Sequence, residues 1–160
     1  MNLLAPIQDA ALLQGLSDEQ RVVLAEAASE FSYFAGEKLF RLGDEASVVM
    51  VVRKGTIQLT MPLTVLATER QIVTEELGVG STVAWSALVP PHSATVSARA
   101  MVDSELVGFS RARLVEMFAA RPDIGLVVSS NLASVVGRRL RQTQAMWLRE
   151  LQNSVSAKYG

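Results

Sequence analysis

Between Phe31 and Ser110 the chain is cut by a turn signal so often that no long element can form there. Phe31-Ser32-Tyr33-Phe34 runs into Gly36, Leu39-Phe40 into Gly43-Asp44, and Val48 to Val52 into Gly55, with Ile57-Gln58-Leu59-Thr60 following. Pro62 and Leu63 to Glu69 read as a hairpin connection, and Gln71 to Leu77 as another strand. Thr95 to Ala100 and Glu105 to Ser110 complete the series. Short β-rich runs with a turn roughly every 8–12 residues predict an antiparallel sandwich or barrel, because a parallel sheet needs long crossovers between its strands.

Helical patterning flanks this region. Over residues 8–29, Leu12, Leu13, Leu16, Val23, Leu24 and Ala27 recur at helix-like spacing, and Ser17 with Gln20 forms a capping-box pattern. After Ser110, Arg111 to Ala120 reads as a short helix. It stops at Arg121-Pro122, since the residue before a proline is pushed out of the helical region. Pro122 suits the first turn of a second helix, from Asp123 to about Gln152. Ile124, Val128, Leu132, Val135, Val136, Leu140, Thr143, Trp147 and Leu151 fall on one stripe of it. A helix of ~30 residues is about 45 Å long and overhangs a small barrel. Its uncovered stripe predicts a homodimer through this helix.

Composition removes several function classes. With no cysteine, disulfides, zinc-thiolate sites, iron–sulfur clusters and thiol catalysis are excluded, and one histidine leaves no multi-histidine metal site within a chain. A net charge of -1 argues against a broad nucleic-acid face. No apolar run approaches a membrane span, and the N-terminus has no basic leader, so a soluble, cytoplasmic protein is expected. The carboxylates are scattered, with none joined to a nucleophile or a metal-ligand cluster, and no enzymatic activity is expected.

The segment Leu77 to Ala98 reads LGVGSTVAWSALVPPHSATVSA. Gly78 and Gly80 make a tight turn, a short apolar run follows, and Pro90-Pro91 separates it from the alternating stretch Ser93 to Ala98. With Gly36, Leu39-Phe40, Gly43-Asp44, Val51-Val52, Gly55, Ile57 and Leu59 ahead of it, this order resembles the cyclic nucleotide-binding domain of the Crp/Fnr (catabolite activator) superfamily over about residues 10–152. The resemblance implies an α+β fold: an antiparallel β-roll (double-stranded β-helix, jelly-roll-like) flanked by N-terminal helices and a long C-terminal dimerisation helix. The division expected is 1–30 helical segment, 31–110 β-roll with its phosphate-binding cassette at 77–98, 111–152 helices and 153–160 tail.

In that family the cassette opens with Gly-Glu and closes with Arg-Ala/Ser-Ala-Thr, the glutamate on the ribose and the arginine on the cyclic phosphate. Ala84-Trp85 and His92-Ser93-Ala94-Thr95 stand at those places here, and the stretch between is about two residues short. Losing one partner of a buried charge pair costs roughly 3–5 kcal/mol, and each 1.4 kcal/mol is about tenfold in affinity. Tight cAMP binding is therefore not expected. The candidate ligand residues are Val83, Ala84, Trp85, Ser86, Ala87, His92, Ser93, Ala94 and Thr95 of the cassette, with Thr143 and Gln144 of the long helix, which the resemblance sets towards the adenine. The dimer seam is expected along Val128, Leu132, Val135, Val136, Leu140, Thr143, Trp147 and Leu151.

Each has an alternative. Trp85 is a stacking platform or a plug; His92 is a pH-sensitive phosphate partner, a lone haem ligand or a rim residue; Thr143-Gln144 is a base reader or a polar step in a seam. Arg138, Arg139, Arg141 and Arg149 are a nucleic-acid contact or the solvated face of a dimer helix. The family's transcription factors continue into a helix-turn-helix domain, and a chain ending at Gly160 is expected to lack one. The reading is a stand-alone, non-enzymatic regulatory domain with no cofactor, acting through a small-molecule effector or a protein partner. Its rivals are a cAMP or cGMP receptor with an altered pose and a ligand-free dimerisation or adaptor module.

Overall fold

A computed structural model describes residues 2–160 of the chain. After short 3₁₀ turns at Ala5–Ile7 and Ala11–Leu13 come helix α1 (Asp18–Ala25) and strands β1 (Ala28–Tyr33), β2 (Lys38–Phe40), β3 (Val48–Lys54), β4 (Ile57–Val65), β5 (Thr68–Leu77) and β6 (Thr82–Val83). A third 3₁₀ turn, Trp85–Leu88, precedes β7 (Ser97–Ala100) and β8 (Ser104–Ser110), and helices α2 (Arg111–Ala120) and α3 (Pro122–Tyr159) close the chain. The strands form two antiparallel sheets, in the orders β1-β8-β3-β6 and β2-β7-β4-β5. This is the expected β-roll with helices at both ends of the sequence.

Strand alternation builds two apolar layers. Along β3, Val49 and Val51 point at the helices while Met50 and Val52 point between the sheets. Outside the first sheet, Val49, Val51 and Phe109 pack with Leu12, Leu13, Leu114, Ile124 and Val128. Inside the roll, Val52 and Leu106 meet Ile57, Leu59 and Ala98 of the second sheet. Among the described residues, no helix packs on the outer face of that second sheet.

The elements depart from the sequence expectation in four places. The helix expected over 8–29 is broken into 3₁₀ turns and α1, and β1 begins at Ala28. Gly15, at φ +80°, reverses the chain, and the Asn131 side chain donates to the carbonyls of Leu12 and Gln14 at 2.9 and 2.8 Å, replacing helical bonds. α1 itself opens on the expected capping box of Ser17 and Gln20. Pro62 lies within β4, opposite Gln71, and the hairpin turns at Leu66-Ala67. This part of the hairpin projects beyond the sheet, where a strand proline can leave its missing donor towards solvent.

Regular pairing in β7 begins only at Ser97, because residues 92–94 bond instead to the loop at 43–46. Finally, α3 continues to Tyr159, so residues 153–159 are helix rather than tail. Asn153 to Lys158 holds no proline or glycine to stop it. At 38 residues α3 is about 57 Å long, and every residue from Arg141 onward is exposed.

Candidate ligand site

Strand β6 ends at Val83, which is fully buried, and Ala84 then adopts a left-handed conformation at φ 62°. That reversal starts the four-residue helix Trp85–Leu88. Ser86 and Ala87 are buried on it, while Trp85, Leu88 and Val89 pack against the helix-side core. The half-buried indole thus packs towards the helix-side core rather than into the roll interior. His92, also left-handed at φ 60°, places Nδ1 3.2 Å from the carbonyl oxygen of Ser86. A carbonyl can only accept, so Nδ1 carries the proton in this contact. The Ser93 hydroxyl donates to the Gly43 carbonyl at 3.3 Å, Ala94 is buried, and Thr95 is exposed.

Ala84 and Ala94 approach one another across a cavity of about 180 Å³. Phe31, Tyr33, Phe40, Val48 and Met50 contribute to its wall, and among the described residues its one charged lining group is the carboxylate of Glu45. Burial, followed by the charge of Glu37, raises the Tyr33 hydroxyl above its usual pKa. Pockets for drug-sized ligands generally occupy about 300–1,000 Å³. This one is small, apolar and without a cation.

A residue absent from the sequence-based site holds the cassette in place. Arg111, the first residue of α2, donates through Nη1 to the carbonyls of Ala46 at 2.7 Å and Ala87 at 3.2 Å. Its Nη2 lies 3.6 Å from Glu45. Only its position at a strand–helix junction, after the capping Ser110, marked it in the sequence.

On the other side of β6, α3 crosses a larger cleft of about 720 Å³, bordered by Gln14, Glu75, Thr82, Asn131, Arg138 and Arg139 among others. Arg139 donates through Nη2 to the Thr82 carbonyl, and its Nε is 3.9 Å from Glu75. Burial lowers the pKa of its guanidinium, and the Glu75 charge opposes that shift. The Thr82 hydroxyl is buried without a hydrogen-bond partner.

The structure therefore joins Val83 to Ala94 in one cassette but leaves Thr143 and Gln144 apart from it. Both are exposed and border neither cavity, because α3 meets the roll through Arg139, one turn earlier. The expected dimer stripe also divides. Val128, Leu132 and Val135 are buried in the chain's own core, with Val136 packed beside them. Leu140, Thr143, Trp147 and Leu151 are exposed. Among the described residues no helix is long and apolar enough to cross a membrane.

Residues 30–121 match the cyclic nucleotide-binding domain family. A Geobacter metallireducens GS-15 protein, provisionally described as cyclic nucleotide-binding, is 26% identical with a TM-score of 0.71, covering 88% of this chain and 99% of that one. The catabolite activator protein of Thermus thermophilus is 25% identical with a TM-score of 0.73; the match takes in 89% of this chain but 63% of that protein. A cyclic nucleotide-binding domain from Methylobacillus flagellatus KT has a TM-score of 0.79 at 16% identity, over 93% of this chain and 82% of that one, a likeness of fold. No curated protein is a significant match.

Proposed function

The chain belongs to the cyclic nucleotide-binding domain family, and from that premise we propose a non-enzymatic regulatory domain whose cassette no longer holds a cyclic phosphate tightly. The observation that carries this reading is the cavity between Ala84 and Ala94, about 180 Å³ and lined by aromatic and aliphatic side chains. A cyclic phosphate entering there meets the Glu45 carboxylate and no cation. Desolvating that anion without a partner costs several kcal/mol. The His92 Nδ1–H is already engaged by Ser86, leaving only Nε2 for any anion.

What remains is the transmission part of such a domain. Arg111 ties the cassette helix to α2, and Arg139 ties β6 to α3. A change in the cassette thereby reaches both helices. An effector drives it only by binding the two arrangements with different affinity. The exposed half of α3 is the output surface in this proposal, pairing with the same helix of a second copy.

Calorimetric titration with cAMP and cGMP, at pH 7.5 and pH 6, tests the reading. No saturable heat up to millimolar nucleotide is expected at either pH. Micromolar binding at either pH would overturn it in favour of a receptor with an altered pose.

A further inference from the structure

The outer face of the second sheet carries a concavity that the cassette does not share. It encloses about 670 Å³ between the projecting β4–β5 hairpin and the turn after β2. Lys38, Arg41 and Arg99 stand on its wall, above a floor that includes Gln58, Thr60, Pro62 and Val73.

The placement of the cations is unfavourable without an anion. Lys38 and Arg99 are directly opposed across β2 and β7 in antiparallel register, so their side chains share one face. Like charges in that relation repel and destabilise the pairing. None of the ion pairs among the described residues involves Lys38, Arg41 or Arg99. On its other flank Arg99 faces Gln58, to whose Oε1 its Nε donates at 3.2 Å, leaving both Nη groups free. Among the described residues, the one carboxylate bordering the concavity is Glu69, on the hairpin wall.

We propose that this face binds a small organic phosphate, its phosphate held between Lys38 and Arg99 with Arg41 closing from the rim, and its body resting against Pro62 and Val73 of the hairpin. Charge complementarity selects the anion. Phosphate suits the site because a guanidinium meets its oxygens through paired N–H groups and an ammonium adds a point charge. The volume lies within the range of small-molecule sites and exceeds that of a bare inorganic ion. This site lies on the opposite face of the second sheet from the roll interior and is independent of the cassette reading.

Phenyl phosphate is the probe, with inorganic phosphate and phenol as its two halves, titrated at constant ionic strength so that screening does not mimic binding. The readout is backbone amide chemical shift over Lys38–Leu42 and Ser97–Arg99. Phenyl phosphate should give saturable shifts there with about tenfold higher affinity than inorganic phosphate, and phenol none. Lys38→Gln and Arg99→Gln, both at exposed positions, should each weaken phenyl phosphate about tenfold, or ~1.4 kcal/mol. Non-saturating shifts up to tens of millimolar overturn the proposal, as does binding that both variants leave unchanged. Saturable shifts confined to Ala84–Ala94 also overturn it, and would place the anion in the cassette.

Discussion

The guanidinium of Arg111, at the first position of α2, donates to the carbonyl oxygen of Ala87 in the cassette helix, 3.2 Å away. The same Nη1 reaches Ala46 at 2.7 Å. One charged side chain thus fixes three segments that are distant in sequence. Arg111→Met should lower the unfolding free energy by about 2 kcal/mol, the scale of hydrogen bonds to a charged donor. Glu45→Gln removes only an exposed carboxylate 3.6 Å from Nη2 and should cost less than about 0.5 kcal/mol. Urea denaturation of both variants measures the difference, and equal costs would show that the two carbonyl contacts contribute little.

Arg139 and Thr82 couple α3 to the strand entering the cassette. Replacing Arg139 with Met should leave the fold intact, since the first half of α3 remains buried through Ile124, Val128 and Leu132. Local opening should become easier. Amide exchange at Thr82 and Val83 is expected to accelerate about tenfold, equivalent to ~1.4 kcal/mol, while exchange in β8 stays unchanged. Uniform acceleration through both sheets would instead mean that Arg139 supports the whole domain.

At the junction of the last two helices, Arg121 bonds Glu19 at 2.6 and 2.9 Å and Asp123 at 2.9 and 3.0 Å. Those bonds, with a further one from Gln20, hold Asp123 well below the usual carboxylate range, and the bond from Arg121 also lowers Glu19. Carboxylates depressed in the folded state contribute stability that is complete above their unfolded pKa, about 4, and that is lost as pH falls through the folded values. Denaturation midpoints should therefore drop from about pH 5 downward, and Arg121→Ala should flatten that slope. A slope identical in both proteins would assign acid sensitivity to other carboxylates.

Trp147 is 67% exposed and Leu151 44% exposed on the projecting half of α3. If this half pairs with a second copy, Trp147→Arg combined with Leu151→Arg should convert a dimer to a monomer in light scattering, with little change in the monomer's helicity. A wild-type protein already monomeric at high concentration would remove the dimer from the proposal.

Local chemistry is what made most of the architecture readable. Gly55 illustrates it: at φ +92°, a Cβ would meet the Ser104 hydroxyl and come within 2.8 Å of the Asp103 carbonyl, so the β3–β4 turn needs glycine and shows as one. The Ser17–Gln20 capping box and the Arg121-Pro122 break are equally local, and both appear where the pattern put them. The N-terminal segment misled because Leu12, Leu13 and Leu16 are apolar for burial against α3, not for a helix of their own. Periodicity cannot distinguish the two reasons.

The site was legible only as a segment. Val83 to Ala94 could be marked by order and spacing, and Trp85 and His92 as the residues at which that stretch departs from the family pattern it resembles. By itself the sequence determined the succession of helix, roll and helix, because turns, caps and residue identity act within a few bonds. Tertiary structure alone decided that Arg111 clips the cassette, that Arg139 rather than Thr143 meets the roll, and that Lys38 faces Arg99. Those contacts depend on strand register and on the angle at which α3 leaves the core, both set by packing between residues far apart in the chain.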